Sequence, residues 1–366
     1  MLPKYTKNKK IMRVIVGMSG GIDSSVSAAL LKYGRFLPAG RQVDVVGVMA
    51  KFGNSGENDS EKNARLVAKQ IDIPFYIVNL EKEFKKKVID YFLKEYKAGN
   101  TPNPCVVCNK EIKFGLLMEK ALKMGGDFIA TGHYARIDNG KLLKGKNRGK
   151  DQSYFLCQLS QKQLNKILFP VGGYTKSEVR KLAKKFDLPF AEISESQEVC
   201  FVQNTTNEFL KKYLKTKPGK IVDKNGRVLG EHNGLWFYTI GQRRGIEVQQ
   251  GPWYVVDKDL KKNVLIISKN EKDLLKKELI VKNVNWVSGK EPSLCQGSGR
   301  QVKLPLSVKV KIRYKSEESE AIIYKSKDKT YKIIFKKPQK SITSGQSAVF
   351  YKKDELLGGG IIDKIE

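Results

Sequence analysis

The residues best equipped for chemistry are a pair of cysteines, Cys105 and Cys108, in the stretch "TPNPCVVCNKEIKFG". Three kinds of site use a C-x-x-C pair. A structural zinc site takes four ligands, usually completed by a second C-x-x-C or by H-x-x-x-H. The chain has neither and only 2 histidines, so no metal site is expected. A thioredoxin-like redox pair comes early in its fold and without a phosphate loop. The third reading uses a helical pattern that begins at Asn109 or Lys110, with Cys108 at its positive end and Lys110 and Lys113 nearby. Such a field lowers a thiol pKa toward neutrality, and the thiolate can attack an activated carbon or a persulfide sulfur. The plain alternative is a pair of inert thiols. A second candidate, Cys200 in "SESQEVCFV", cannot be paired with Cys108 by spacing. Cys157 and Cys295 lie in apolar or loop settings and read as inert.

A second stretch suits an anion. In "VIVGMSGGIDSSVSAALL" the β-branched Val14, Ile15 and Val16 read as a strand buried on both faces, and Val26, Ala29, Leu30 and Tyr33 recur at helical spacing. Between them Gly20 and Gly21 let backbone N–H groups face the positive end of a helix that starts near Asp23 or Ser24. An ordinary strand-to-helix turn, merely capped by Asp23 or Ser24, is the competing reading. No Gly-Lys-Ser/Thr follows, and the glycines do not fit G-x-G-x-x-G. "SGGIDS", Ser19 to Ser24, instead resembles the pyrophosphate loop of the ATP pyrophosphatases, which attach AMP to a substrate oxygen and release pyrophosphate.

These residues need elements to position them. "RVIVG", "VDVVGVM", "PFYIVNL" and "DFIATG" read as strands alternating with helical segments from Met12 to about Thr131. That alternation predicts a doubly wound parallel sheet with ligands at the carboxyl ends of its strands, where "SGGIDS" and "TGHYAR" both fall. A later helix opens at "YTKSEVRKLAKKF", where Thr175 and Glu178 have capping-box spacing. Beyond about Gln203 hairpins take over, one with an Asn-Gly turn at 225–226, and from "ELIVKNVNWV" onward short strands dominate. In "SVKVKIRY", Val308, Val310, Ile312 and Tyr314 alternate with Lys309, Lys311 and Arg313. The expected architecture is an α/β N-terminal domain (1–203), a small β-rich central domain (204–277) and a C-terminal β-barrel (278–366).

Composition bounds the partner. Lys and Arg total 69 against 38 acidic residues, a formal charge of +31. Runs such as "KKK" at 85–87 are solvated helix faces, but the whole excess points to a polyanion, with nucleic acid first. No apolar run approaches the roughly 20 residues that span a bilayer, and no basic amphipathic helix with a Trp or Phe face suggests a membrane surface. The sequence shows no signal-like segment, and five thinly spread cysteines do not form a disulfide scaffold, so a cytoplasmic protein is expected.

Taken together, "GMSGGIDSS", "TPNPCVVCNKEIKF", "ATGHYAR", "KDQSYFL", "CFV", "TIGQRRGI" and "SGQSAVFYKKDELLGGGI" resemble, in order from about residue 12 to 362, the tRNA-specific 2-thiouridylases. That family replaces the C2 oxygen of the wobble uridine with sulfur. The resemblance implies that Gly17, Met18, Ser19, Gly20, Gly21, Ile22, Asp23 and Ser24 hold ATP, whose magnesium comes with the nucleotide, with Ala50 at the adenine and Gly132 a further contact. It implies Cys200 as the residue that receives sulfur as a persulfide from a donor protein, and Cys108 as the nucleophile that forms a transient disulfide with it or releases hydrosulfide against the activated carbon. Asn103, Pro104 and Cys105 fall beside the target base. His133, Lys150, Asp151, Gln152, Arg313, Tyr314 and Gln346 fall on tRNA-contact motifs. Some members carry an aspartate proposed for acid–base work where this chain has Cys105, and many have Met in place of Ala50. Two other readings compete: another pyrophosphate-loop ligase or thiolase, such as an amide-forming synthetase, which needs neither thiol, and a basic RNA-binding protein with a degenerate nucleotide site.

Overall fold

The computed structural model describes residues 11–36, 42–52, 59–189, 199–202, 204–290, 294–296, 300–302, 305–326 and 330–365. The N-terminal part holds β1 (Ile11–Gly17), β2 (Gln42–Lys51), β3 (Phe75–Asn79), β4 (Phe128–Thr131), the hairpin β5 (Ala135–Asp138) and β6 (Lys141–Lys144), and β7 (Ile167–Leu168). Five of these strands form a parallel sheet in the order β3-β2-β1-β4-β7. The apolar run in β1 has the predicted cause, since Val14, Ile15 and Val16 are all at most 1% exposed. Ile15 joins one core with Val46, Val48 and Ile129, while Val14 and Val16 join another on the opposite face. Helix α1 (Ile22–Lys32), helix α2 (Asp59–Gln70) and the helix Lys176–Lys185 cover that second face. The helices 81–97 and 104–123 cover the first. Thr175 and Glu178 close the expected capping box.

The central part is a four-stranded sheet of β8 (Gly219–Val222), β9 (Val228–His232), β10 (Tyr254–Asp259) and β11 (Val264–Ser268), in the order β10-β11-β8-β9. Both outer pairs are hairpins, and Gly226 supplies the positive φ of +85° that the Asn-Gly turn needs. Its core of Ile221, Val255, Leu265 and Ile267 takes in Phe92 and Tyr96 from the helix 81–97.

The C-terminal part contains β12 (Leu275–Trp286), β13 (Leu294–Gln296), β14 (Arg300–Val302), β15 (Leu306–Lys311), β16 (Ser319–Lys325), β17 (Tyr331–Lys340), β18 (Ser347–Lys352) and β19 (Glu355–Ile365). Six of them close into an antiparallel barrel, β12-β17-β16-β15-β18-β19, with β12 pairing β19. Val308 and Val310 point into its core and Lys309 points out. The strands are not all short, because β12 and β19, at 12 and 11 residues, must cross the barrel and bend. The alternating run also ends sooner than expected, at Lys311, which leaves Arg313 and Tyr314 in the turn beyond β15.

One connection was not legible in the sequence. The hairpin β5–β6 leaves the N-terminal domain and extends the barrel sheet through Glu355 opposite Leu143. Val349, Tyr351 and Leu356 of the barrel consequently belong to the same core as Cys108 and Ile112. The buried Tyr154 hydroxyl donates to the Ser347 carbonyl at 2.9 Å across this junction. Among the described residues no helix is long and apolar enough to cross a membrane.

Candidate active site

The turn after β1 is built for close approach. Gly20 has φ +76°, and a Cβ there would lie 2.1 Å from the Ser60 carbonyl oxygen. Gly132, just after β4, passes so near the start of α1 that its Cβ would lie 2.6 Å from the Ser24 nitrogen. Met18 N–H donates to the Val48 carbonyl at 2.8 Å, and Ser19 N–H to the Ser24 hydroxyl at 3.1 Å. Ser24 in turn donates to the Gly21 carbonyl at 2.9 Å, which fixes the turn from within. The helix starts at Ile22, a residue or two before the expected Asp23 or Ser24, with Gly21 as its N-cap and no side chain capping it. Its first N–H groups and its dipole therefore face the turn, an arrangement suited to phosphate. Ala50 sits near the end of the adjacent β2, paired with Val78 of β3.

Asp23 does something other than cap. Its carboxylate accepts from the Tyr134 hydroxyl at 2.7 Å and from the Lys176 ammonium at 2.8 and 2.9 Å. Lys176 is only 8% exposed. Sequence reading missed it, although a signal existed: a lysine directly after the Thr175 N-cap opposes the helix dipole and needs a partner elsewhere. The pair cancels a carboxylate charge that would repel a bound phosphate.

The thiol region departs from expectation twice. The helix begins at Pro104, not at Asn109 or Lys110, and Asn103 caps it by accepting from Val106 N–H at 3.4 Å. Cys108 therefore lies a full turn inside the helix rather than at its positive end. It is 7% exposed, and burial pushes its thiol up to about 12 despite the opposing charge of Lys113. Desolvation of the thiolate outweighs the field that was expected to lower it. Burial raises Cys105 and Cys200 as well, again against Lys113, although Cys200 also presents surface to solvent.

What spacing could not do, the fold does. An ionised Cys200 acts on both Cys105 and Cys108, so the three sulfurs share one region. Cys200 is held from behind by Phe201, whose ring packs edge-on against Phe84 and Phe92 at 5.8 and 5.3 Å. Most of "SESQEV" ahead of it lies outside the described residues. Cys157 is fully buried, in keeping with an inert role, and Cys295 falls on β13. His133 packs on the helix that bears Cys105 and Cys108. Its Nδ1 lies 2.8 Å from the Thr131 hydroxyl, and the rings of Phe114 and Phe169 flank it at 5.7 and 5.9 Å. Burial, helped by Lys113, holds it well below the usual histidine range, so it is neutral.

The remaining sequence candidates divide into two groups. Lys150 and Arg313 are exposed, and Tyr314 packs against Phe155 with ring centroids 4.3 Å apart. The others are engaged internally. Asp151 is buried and accepts from Gly145 N–H at 2.9 Å and from the Ser153 hydroxyl at 2.8 Å. Gln152 accepts from Tyr134 N–H at 3.0 Å. Gln346 donates to the Thr101 carbonyl at 2.8 Å, while Thr101 N–H donates to Ser344 at 2.9 Å, so the barrel grips the loop that leads into Asn103. Between the hairpin and the barrel, a cleft of about 350 Å³ is lined by Lys144, Arg148, Lys309, Lys311 and Lys353 with three carboxylates. Its residues come from distant segments, so no local pattern announced it.

Family models match the three parts in turn: a tRNA methyl transferase HUP domain at residues 12–204, a tRNA methyl transferase PRC-barrel domain at 207–269 and an aminomethyltransferase beta-barrel domain at 276–362. The tRNA-specific 2-thiouridylase MnmA of Alkaliphilus oremlandii is 41% identical over 379 residues, covering 98% of this chain and 99% of that protein. The protein of the same name from Syntrophomonas wolfei is 43% identical over 358 residues, covering 96% and 100%. The chain belongs to the tRNA-specific 2-thiouridylase family. As a 2-thiouridylase-family chain it is matched along nearly its whole length, across all three parts of the fold.

Proposed function

We propose that this protein is a tRNA sulfurtransferase that thiolates the wobble uridine at C2 at the expense of ATP. The observation that carries the reading is the pair Gly132–His133. Gly132 abuts the start of α1 behind the phosphate turn, and His133 packs on the helix that bears Cys105 and Cys108. Two adjacent residues thus join a phosphate site to a thiol site. In this reading residues 17–24, Ala50 and Gly132 bind ATP with its magnesium, and AMP is transferred to the uridine O2 with release of pyrophosphate. Cys200 carries the sulfur received from a donor protein as a persulfide. The Cys108 thiolate attacks the Cys200 inner sulfur, forms a Cys108–Cys200 disulfide and releases hydrosulfide. Hydrosulfide adds to C2, AMP departs with the former O2, and a proton is lost to leave C2=S. A reductant of the thiol class then reopens the disulfide. Asn103, Pro104 and Cys105 adjoin the base. His133, Lys150, Arg313, Tyr314 and the basic cleft serve tRNA, and Asp151, Gln152 and Gln346 serve it through the shape they impose as much as through contact. The three units are assigned to residues 1–203, 204–277 and 278–366.

The test is incubation with ATP, a persulfide sulfur donor and unmodified tRNA, followed by nucleoside mass spectrometry and nucleotide analysis. 2-Thiouridine with AMP is the expected result. ADP in place of AMP overturns the pyrophosphate-loop assignment, AMP without thiolated tRNA favours a different ligase, and tRNA binding without turnover favours an RNA-binding protein.

A further inference from the structure

Cys105, Cys108, Cys200 and His133 come from three separate segments and share one charged neighbour, Lys113. The helix explains how Lys113 reaches them. From Cys108 to Leu117 it is wound as a π-helix, with Met118 N–H donating to the Lys113 carbonyl. A π turn closes on i→i+5, so Cys108 and Lys113 lie one turn apart on the same side. The next residue, Phe114, packs on His133, and Phe201, beside Cys200, packs on the core that contains Cys108, Ile112 and Phe114. The nearby carboxylate on the helix, Glu111, is paired away with Lys87 at 2.7 Å. Wide π turns recur at functional sites because they redirect side chains that a regular helix would place elsewhere.

We propose that Lys113 is the counter-ion of the reacting sulfur, holding the anion that Cys108 or a Cys200-bound sulfur presents in this pocket. The proposal deepens the thiolation reading and rests on it for the fate of that sulfur. The need is physical: burial disfavours each thiolate, and Lys113 is the charge that opposes burial at all three cysteines. Ionisation is a plain proton loss to solvent. His133 is not the acceptor, since burial and the same ammonium both disfavour its protonated form. Among the described residues, the charged or titratable groups that act on the sulfurs are therefore Lys113 and the other thiols, and His133, which feels the same ammonium, is neutral. Cys157 stands apart, because the cation that acts on it is Lys110.

The experiment is the pH dependence of iodoacetamide alkylation, mapped by peptide mass spectrometry at Cys108, Cys200 and Cys157. It compares wild type, Lys113→Met, Lys113→Gln and Lys113→Arg, with circular dichroism to verify folding. Loss of an adjacent opposite charge should slow alkylation of Cys108 at a given pH by about tenfold or more and move its midpoint upward. Lys113→Arg should stay within a few-fold of wild type, and Cys157 should not respond. Unchanged profiles at Cys108 and Cys200 in folded Met or Gln variants overturn the proposal, as does an equal change at Cys157, which would mean general loosening. Because Lys113 is only half-buried, the Gln variant keeps a polar group at the surface and serves if the Met variant unfolds. Failure of the thiolation reading is read separately, as absence of 2-thiouridine with wild-type protein.

Discussion

The turn proposed to hold phosphate and the region proposed to hold the reacting thiols meet at Gly132–His133, yet they are built in opposite ways. The turn is largely local: strand, glycines and helix follow one another from β1 to α1, and its backbone-shaping hydrogen bonds join residues at most five apart, the exceptions being Met18 to Val48 and the Asp23 carboxylate to Tyr134 and Lys176. The pocket is assembled from the helix after Asn103, the segment at Cys200 and the turn at His133. A local device can be read from spacing, because backbone geometry alone decides where its N–H groups point. A non-local device depends on burial, and burial reversed the expected direction of the Cys108 shift.

The largest expected effect tests whether the turn is as local as it looks. Asp23→Ala would strand the ammonium of Lys176 in a nearly closed site, and breaking such a pair costs up to about 3–5 kcal/mol. Formation of AMP and pyrophosphate should fall by at least about a hundredfold, on the scale of losing a preorganised electrostatic group. Lys176→Met should be almost as severe, although it lies 153 residues away in sequence. A Lys176→Met protein with wild-type AMP formation, measured by chromatography, would show that the turn works unaided.

The next effect separates the two regions. Cys108→Ser and Cys200→Ser should each abolish thiolation, while AMP transfer continues because the turn touches neither sulfur. Peptide mapping after one turnover without reductant should find Cys108 joined to Cys200. A Cys105–Cys108 bond with Cys200 free reassigns the roles, and thiolation surviving in Cys108→Ser ends the disulfide mechanism.

This division also marks how much was legible. The parallel sheet, the capping box at Thr175, the Asn-Gly hairpin and the barrel strand at Val308 and Val310 all follow from local periodicity and turn chemistry, and the structure has them. Lys176, the join of β6 to β19 and the basic cleft were out of reach because each depends on a partner more than 100 residues distant. The start of the thiol helix was misread for a different reason. Pro104 is well placed at a first helical position and Asn103 is a good cap, but the two cysteines drew the boundary too late.

A smaller effect probes the grip of the barrel on the thiol helix. Gln346→Ala removes the hydrogen bond to Thr101 and should cost about 1 kcal/mol. Gln346→Glu should be worse, since a carboxylate would face the same carbonyl oxygen. Thermal unfolding and the thiolation rate should both rank wild type above Ala and Ala above Glu. The reverse order of the two variants would mean that Gln346 does not hold that loop.

The last effect is conditional on acid and concerns the residue between the two regions. His133 is neutral in the fold, held well below its ordinary pKa by burial and then by Lys113. In the unfolded chain it titrates near the ordinary histidine value of 6.5. Below that pH the unfolded state binds a proton that the folded state refuses, so the contribution is fully present above pH 6.5 and is lost as pH falls, by at most about 1.4 kcal/mol per unit. The other histidine, His232, is also lowered by burial, with the Asn263 carbonyl opposing the shift, so the wild-type slope alone does not isolate His133. The comparison with His133→Gln does, because His232 is common to both proteins. Melting temperatures measured from pH 7.5 down to 5.0 should fall more steeply for wild type than for the variant, and the two curves should run parallel above about pH 7. Curves that stay parallel to pH 5.0 would mean that His133 takes up its proton in the fold, and the wall between phosphate turn and thiols would then be charged rather than neutral in acid.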